Sequence, residues 1–378
     1  MVERAISPNA DEHVPVFRAT LDQHETIMST SKLGRDYMHT RKPLVSILIP
    51  AFNAEKWISE TIRSALAQTW VRKEVIVVDD GSTDRTAEIA ESFRREGVTV
   101  VRKPNEGAAA TRNKALSLSR GEYIQWLDAD DLLAPDKIAL QLGATGPRDQ
   151  RVLLSSAWGK FAYRPKRAKF IPTGLWRDQR PSEWLIQKLS GNCYMQTATW
   201  LTHRALAENA GPWDTRLLSD DDGEYFSRVL LASEGVKFVR DSKVFYRNIP
   251  TARLSDIGTS DRKMEAMLVS MKLHIQYLRS LDDTERARNA CLTYLSNWSN
   301  SFYPYRPDII RELSVIAHDL GGVLTIPPRG GKYEHRWLRS LLGPHAAKRA
   351  QFGLSYTKAR LICALDKGLS MFSGRGIA

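Results

Sequence analysis

The hydrophobic positions in the first half of the chain follow two alternating patterns. Between apolar runs, side chains such as Trp57, Ile58 and Ile62 recur at helical spacing, and an alanine-rich helix is predicted over 108–119. The runs themselves are short and nearly continuous, as expected of strands buried on both faces. They cover residues 44–49, 74–78, 99–102 and 123–127. This alternation predicts a doubly wound, mainly parallel α/β sheet.

The second half is less regular and becomes helical towards its end. Residues 152–156 and 195–200 are predicted as strands, and 211–222 as a loop before a helix over 223–232. Beyond Lys263, methionines and an isoleucine form a helical stripe that we assign to core packing. We therefore expect three parts, which are a flexible N-terminal arm over 1–41, an α/β domain over 42–250 and a mainly helical C-terminal region over 251–378.

Composition excludes several protein classes. The three cysteines, Cys193, Cys291 and Cys363, are far apart and form no CxxC pair, so neither a disulfide framework nor a zinc finger is predicted. No apolar run approaches the ~20 residues that span a bilayer. The first residues are polar and include acidic side chains, unlike a secretory signal. We expect a cytoplasmic protein.

The net charge of +12 is compatible with nucleic acid, an anionic membrane surface or an acidic substrate as a partner. No zinc finger, RNP aromatic motif or basic heptad accompanies the charge, so nucleic acid is not expected. Basic residues are concentrated at 164–169 and 332–360. Because 332–378 combines these cations with Trp337, Leu338, Leu341 and Leu342, we expect a peripheral contact with the inner membrane surface there. The alternative is a helical subdomain packed on the catalytic core.

Carboxylates follow two of the predicted strands, at the edge where ligands of open α/β sheets bind. They are Asp79, Asp80, Asp128, Asp130 and Asp131. Alternating carboxylates such as Asp128 and Asp130 can coordinate a hard divalent cation that bridges the phosphates of a nucleotide diphosphate. Asp80 can accept hydrogen bonds from a base or ribose, and Arg112 can offset the charge of both clusters. The alternatives are solvated turns, helix caps and, for Arg112, a surface salt bridge. No GxGxxG or Walker A sequence is present.

Four segments resemble glycosyltransferase family 2, the large inverting family with the GT-A fold. They are SILIPAFNAEKWISETIRSALAQTW, EVIVVDDGSTDRTAEIA, NEGAAATRNKAL and GEYIQWLDADD. The resemblance covers roughly 45–246 and implies a nucleotide-binding half over 42–131 and an acceptor half over 132–250, followed by a helical C-terminal extension.

This resemblance also implies roles for individual residues. Mn or Mg binds Asp130, and Arg112 and Asp128 border the diphosphate of the donor. The remaining donor-binding residues are Pro50, Phe52, Asn53, Glu55 and Asp80. Phe52 stands where the family often has Tyr, so its ring can still stack on the base but its hydroxyl contact is lost.

A fifth segment, GPWDTRLLSDDDGEYFSRVLL, is similar to the family's acidic motif at an acceptor-site helix. Asp222 aligns best with the general base that removes the proton of the acceptor hydroxyl, with Asp221 as the alternative. Both could also serve as acids at a helix N-terminus. Polymerising members carry Gln-x-x-Arg-Trp, whereas this chain has Gln196-Thr-Ala-Thr-Trp200, so transfer of a single sugar is expected.

Together these features predict an enzyme that transfers one sugar, with inversion, from a nucleotide diphosphate sugar, UDP-linked, to a glycan or lipid-linked acceptor in surface or exopolysaccharide synthesis. One rival is a sugar nucleotidyltransferase, which normally has a Gly-rich basic loop where this chain has Pro50-Ala51-Phe52-Asn53. The other rival is a non-catalytic nucleotide-sugar-binding protein.

Overall fold

A computed structural model describes residues 42–146, 149–249, 260–303, 305–326 and 363–369. Contacts divide the chain into two units, Met1–Lys42 and Pro43–Ala378, and the elements below belong to the second. The predicted arm over 1–41 and most of the basic segment over 332–378 lie outside the described residues.

The first half of the sheet is parallel, with strand order β3-β2-β1-β4. The strands are β1 (Val45–Ala51), β2 (Lys73–Asp79), β3 (Val98–Arg102) and β4 (Tyr123–Trp126). They alternate with helices α1 (Ile58–Leu66), α2 (Thr86–Ser92) and α3 (Ala108–Leu118). In β1 every residue except Pro50 is buried, which explains the continuous apolar run. All four predicted strands and the predicted helix over 108–119 are confirmed, with ends that differ by one or two residues.

The second half of the sheet is mostly antiparallel. The strands are β5 (Leu132–Leu133), β6 (Val152–Phe161), β7 (Lys169–Phe170), β8 (Leu201–His203) and β9 (Gly235–Arg247), with helices α4 (Lys137–Gly143), α5 (Pro181–Gly191), α6 (Arg204–Ala210) and α7 (Asp221–Ala232) between them. The order continues from β4 as β8-β6-β9-β5, with β7 on β6. Only β6 and β9 pair in parallel here. The predicted α/β class is confirmed, and the sheet is mixed.

One predicted strand is wrong. Residues 195–200 contain the 3-10 helix Thr197–Thr199, and the strand begins only at Leu201. The side chain of Gln196 accepts a hydrogen bond from Ala198 N (2.6 Å), and the Thr199 hydroxyl donates to Gln196 O (2.6 Å). These local bonds compete with strand pairing, and apolar periodicity does not reveal them.

The sheet is followed by helices α8 (Asp261–Leu281), α9 (Glu285–Phe302) and α10 (Pro307–Asp319). Residues 363–369 are also helical. The stripe of Met264, Met267, Met271 and Ile275 is buried, as predicted, in the same hydrophobic cluster as the sheet. Among the described residues, none of the helices has the length and apolar character needed to cross a membrane.

Candidate active site

The loops that follow β1 and β2 are tied to each other by polar side chains. Asn53 has a left-handed backbone (φ +49°), its N–H donates to Ser82 Oγ (2.9 Å), and its Oδ1 accepts from Thr83 N (2.9 Å). Glu55 Oε2 accepts a hydrogen bond from Arg85 N (3.2 Å). Asn53 and Glu55 therefore position the loops, whereas the Phe52 ring, 47% exposed beside the half-buried Pro50, remains available for stacking.

Asp80 is enclosed by the turn after β3. Its carboxylate accepts hydrogen bonds from Glu106 N and Gly107 N (both 2.9 Å) and pairs with the ammonium of Lys103. Burial alone would raise the pKa of Asp80, but these donors outweigh it and the pKa lies below its ordinary value. Asp80 thus joins the loops after β2 and β3. Its carboxylate is engaged by donors of the protein itself.

Arg112 connects the two acidic clusters. From α3 it donates through Nη2 to Asp128 Oδ1 (3.0 Å) and through Nη1 to Asp221 Oδ2 (2.6 Å), and it lies 4.5 Å from the centre of the Trp213 ring. Burial would lower the pKa of Arg112, but Asp221, Asp128 and Asp222 together raise it, so the cation is permanent. The strand end after β4 and the N-terminus of α7, which are about ninety residues apart in sequence, therefore form one site.

The run Asp128-Ala129-Asp130-Asp131 divides into outer and inner carboxylates. Asp128 and Asp130 are partly exposed, whereas Asp131 is fully buried. Asp131 accepts hydrogen bonds from Arg247 N (2.7 Å) and Gln196 Nε2 (2.5 Å). Burial, followed by the charges of Asp130 and Asp128, raises the pKa of Asp131 well above its usual range. Asp131 therefore supports the loop from within the fold, and the other two carboxylates remain partly accessible to solvent.

Arg247, at the end of β9, is a site residue that the sequence interpretation missed. It is 1% exposed, and its guanidinium donates to Asp130 O (2.7 Å), Ala162 O (3.0 Å) and Glu60 Oε2 (2.7 Å). Its guanidinium carbon lies 4.1 Å from the centre of the Trp57 ring. It therefore fixes the backbone of the acidic loop. The available signal was a charged residue directly after the apolar stretch of a buried strand.

The outer carboxylates suit a divalent cation shared with a substrate. Within the described part of the chain, no three His, Cys, Asp or Glu side chains are arranged to hold a metal by themselves. Mg²⁺ is commonly held by one or two carboxylates together with substrate phosphates and water, and Asp130, with Asp128 beside it, matches that donor set. The residues present therefore fit Mg or Mn bound jointly with a diphosphate.

Asp222 and Asp221, in the first turn of α7, have different partners. Asp222 Oδ2 accepts from Thr197 Oγ1 (2.9 Å) and its Oδ1 accepts from Gly223 N (2.9 Å). None of the described basic residues forms an ion pair with Asp222. Burial, then the charges of Asp221 and Asp220, raises the pKa of Asp222 to about 6. Asp221 is paired with Arg112, and burial nevertheless raises its pKa above the ordinary value. An unpaired carboxylate with a raised pKa is the better proton acceptor, which favours Asp222.

Asp220, the third member of the run, faces the C-terminal helices. It has a left-handed backbone (φ +56°), and its Oδ2 accepts hydrogen bonds from Ser270 Oγ (2.7 Å) and His274 Nε2 (2.8 Å) on α8. Burial would raise the pKa of Asp220, but Lys188 and His274 lower it. Helix α8 thereby holds the N-terminus of the helix that carries Asp222. The sequence interpretation did not identify this contact.

The fold is shared with solved glycosyltransferase structures. TarS of S. aureus (1–349) in complex with UDP-GlcNAc superposes with a TM-score of 0.57 at 20% identity, over 73% of this chain and 81% of that one. TarS 1–349 without ligand gives 0.52 at 21% identity, over 70% and 73%. The chain therefore has the GT-A type of mixed α/β fold.

Residues 46–172 match the model of glycosyl transferase family 2, so this segment belongs to that family and the resemblance seen in the sequence is confirmed. A putative teichuronic acid biosynthesis glycosyltransferase, TuaG of Bacillus subtilis, is 43% identical over 104 residues, 27% of this chain and 41% of its own. Hyaluronan synthase of Pasteurella multocida is 45% identical over 104 residues, 27% of this chain and 11% of its own. An uncharacterised glycosyltransferase of Rickettsia typhi is 41% identical over 113 residues, 30% and 35%. The chain thus spans less than half of each of these relatives.

Proposed function

We propose that this protein is an inverting, metal-dependent glycosyltransferase that moves one sugar from a nucleotide diphosphate sugar to a glycan or lipid-linked acceptor. The observation that carries the proposal is the bridge from Arg112 to Asp128 and Asp221. Through this one cationic group it joins the strand end that we assign to the donor and the helix that we assign to the acceptor. Such a geometry brings donor and acceptor together, as a transfer reaction requires.

The donor occupies the ends of β1, β2 and β4. Phe52 stacks on the base, Asn53 and Glu55 keep the loops in place, and Asp80 fixes the turn over 103–107 that borders the same edge. Arg112, on the helix that follows this turn, offsets the negative charge that develops on the leaving diphosphate. When bound, Mn or Mg would be held by Asp130, with Asp128 adjacent, and would supply further positive charge to that diphosphate.

Asp222 acts as the general base in this scheme. It removes the proton of the acceptor hydroxyl while that oxygen bonds to the anomeric carbon, on the face opposite the leaving group, and the bond from that carbon to the phosphate oxygen breaks. The sugar is transferred with inversion and the nucleotide diphosphate departs. Thr197 orients the Asp222 carboxylate through its hydroxyl.

The similarity to other proteins supports the proposed substrate class. A UDP-sugar donor is supported by the UDP-GlcNAc complex of TarS. Surface polysaccharide synthesis is supported by the similarity to TuaG, a putative teichuronic acid biosynthesis glycosyltransferase. Transfer of a single sugar agrees with the absence of Gln-x-x-Arg-Trp from the sequence, where Thr199 stands in place of Arg. We further propose a cytoplasmic location with a peripheral contact at the inner membrane surface.

Measurement of the released product distinguishes this proposal from its rivals. Wild-type protein is incubated with a panel of UDP-sugars and Mn or Mg, and release of UDP is recorded with candidate acceptors and with water. UDP release that disappears in Asp222→Asn supports transfer. Release of pyrophosphate from UTP and a sugar phosphate would instead identify a nucleotidyltransferase. Binding of UDP-sugars without any UDP release would favour the non-catalytic reading.

A further inference from the structure

Three aromatic side chains form a platform beside the acceptor side of the site. We call Trp158, Tyr194 and Tyr246 the aromatic platform. The Trp158 ring centre lies 5.1 Å from that of Tyr194 and 5.9 Å from that of Tyr246. Trp158 is buried, but Tyr194 is 45% exposed and presents its ring to solvent. Flat, amphipathic rings of this kind provide contact area for ligands that have both apolar and polar surfaces, such as sugars.

Chain connectivity places the platform next to the proposed base. Tyr194 precedes Thr197 by three residues, at most ~11 Å along the chain, and Thr197 Oγ1 donates to Asp222. Trp158 also follows Ser156 by two residues on β6, and Ser156 Oγ donates to Thr199 O (3.2 Å), two residues after Thr197. The platform therefore lies close to the segment that orients Asp222.

A group of cations borders this platform. We call Lys160, Lys166, Arg167 and Lys169 the basic rim. Lys160 Nζ lies 5.7 Å from the Trp158 ring centre and 5.8 Å from that of Tyr194. Lys160 and Lys169 are directly opposite each other in the antiparallel pair of β6 and β7, so both are on the same face. All four rim side chains are exposed.

The rim has unbalanced positive charge. Across the residues that the structure describes, none of its four cations forms an ion pair with a carboxylate, whereas Arg164 in the same loop is paired with Asp366 (2.6 Å). Like charges directly opposite each other across a strand pair destabilise it. An anionic ligand would relieve this repulsion, so the arrangement is better suited to a bound anion than to the free protein.

From these contacts we propose that the platform and the rim form an acceptor subsite for an anionic glycan. A sugar ring stacks on Tyr194, whose ring packs against the buried Trp158. Lys160 and Lys169 bind the acidic group of the acceptor, a carboxylate or a phosphodiester. This inference rests on the proposed function, because it assigns the acceptor of the same site. It also accounts for the concentration of basic residues at 164–169 that the sequence shows.

Binding of defined oligomers tests the subsite. Calorimetric titrations with UDP and Mn present use a hyaluronan hexasaccharide as the carboxylate probe, a glycerol phosphate hexamer as the phosphodiester probe and maltohexaose as the neutral probe. We expect wild type to bind at least one anionic probe about tenfold more tightly than the neutral one, with added salt weakening only the anionic complexes. The preferred anionic probe identifies which acidic group is recognised.

Matched variants locate the binding. Lys160→Gln and Lys169→Gln should each weaken anionic binding about tenfold, whereas Lys243→Gln should not, because Lys243 is exposed on the opposite face of the same pair of strands. Tyr194→Ala should weaken binding and Tyr194→Phe should retain it. Lys160→Gln should not lower the melting temperature, because it removes one of two opposed charges.

The outcomes separate this inference from the proposed function. Absence of binding by both anionic probes, equal binding of the neutral probe, or an equal effect of Lys243→Gln would overturn the subsite. Binding of UDP and Mn is measured in the same samples and should be unchanged in the rim variants. If the anionic probes bind at the platform but UDP does not bind at all, the subsite stands and the proposed function fails.

Discussion

Arg112 illustrates how much of the site depends on single side chains. It bonds to Asp128 and Asp221 at once, and no other described residue forms ion pairs with both the acidic loop after β4 and the first turn of α7. Asp221 is therefore committed to Arg112. The neighbouring Asp222 has only neutral hydrogen-bond donors and keeps its capacity to accept a proton.

Replacement of each acid in turn tests this division. Asp222→Asn should lower turnover roughly 10²- to 10⁴-fold, the usual loss for a general base, with donor affinity unchanged. Asp221→Asn should keep the base but disturb the Arg112 bridge, so its effect should include weaker donor binding. Steady-state kinetics of both variants measure turnover and the KM for the donor. A loss of turnover confined to Asp221→Asn would mean that Asp221 is the base.

The pH dependence follows from the pKa of about 6 at Asp222, which burial and the charges of Asp221 and Asp220 raise. The base is active only when ionised. We therefore expect kcat/KM to fall as pH is lowered through about 6, by up to ~10-fold per unit, and to level off above it. A pH–rate profile with a saturating donor decides the point, and a flat profile from pH 5 to 7 would contradict the role of Asp222.

The acids and Arg112 could be predicted because each occurs in a local motif at a predicted strand or helix end. Arg247, Gln196 and His274 could not, because their partners are remote in sequence. Arg247 binds Asp131 across 116 residues, and His274 binds Asp220 across 54. Local patterns contain no information about such pairs until the fold has brought the elements together.

Among the elements, the parallel half of the sheet was predictable because each strand is buried on both faces and therefore appears as a continuous apolar run. Strand β8 has only three residues and follows a 3-10 turn stabilised by its own side chains. Strand β5 has two residues. Strands this short carry no period, so their antiparallel pairing could not be predicted.

Helix α4 begins with a buried lysine, Lys137. Its Nζ donates to Gln125 Oε1, and the Gln125 amide in turn donates to Ala198 O (2.8 Å), so the group joins α4 to β4 and to the 3-10 turn. Lys137 is fully buried, and burial lowers its pKa well below the ordinary value. The lysine is thereby favoured in its neutral form within the fold.

This burial predicts how stability changes with pH. The unfolded chain binds a proton at Lys137 up to its ordinary pKa of ~10.4, whereas the folded chain releases it at lower pH. Between these two pKa values the free energy of unfolding should rise with pH, by up to roughly 1.4 kcal/mol per unit, relative to Lys137→Met. Urea denaturation of both proteins at pH 7 and pH 9 measures the difference. If the unfolding free energies of wild type and Lys137→Met differ by the same amount at both pH values, Lys137 stays charged in the folded protein.

For the whole molecule, the C-terminal segment is described only over 363–369. There Asp366 accepts hydrogen bonds from Tyr163 N (3.0 Å) and Arg164 Nε (2.6 Å), and Leu365 and Leu369 are exposed. The two hydrogen bonds of Asp366 favour packing of this segment on the α/β domain. The exposed leucines instead favour contact with a membrane surface.

Flotation with anionic liposomes distinguishes membrane contact of the C-terminal segment from packing alone. We expect the intact chain to float and a chain ending before Gly330 to float less, because basic residues near anionic lipid contribute ~1 kcal/mol each. The effect should diminish with added salt. Equal flotation of the two proteins, or none by either, would leave the segment with a packing role alone.

The central claim is that the carboxylates after β4 bind a divalent cation together with a nucleotide diphosphate. The most direct measurement is the melting temperature with UDP, with and without Mn, for wild type, Asp130→Asn and the control Asp241→Asn, whose side chain is exposed on β9. At a hundredfold excess over the Kd, ligand binding stabilises the native state by ~2.7 kcal/mol. We predict that UDP with Mn raises the melting temperature of wild type and of Asp241→Asn by a few degrees, that chelation of the metal abolishes the shift, and that Asp130→Asn does not show it. A shift that is the same with chelator, or that survives in Asp130→Asn, would contradict the account.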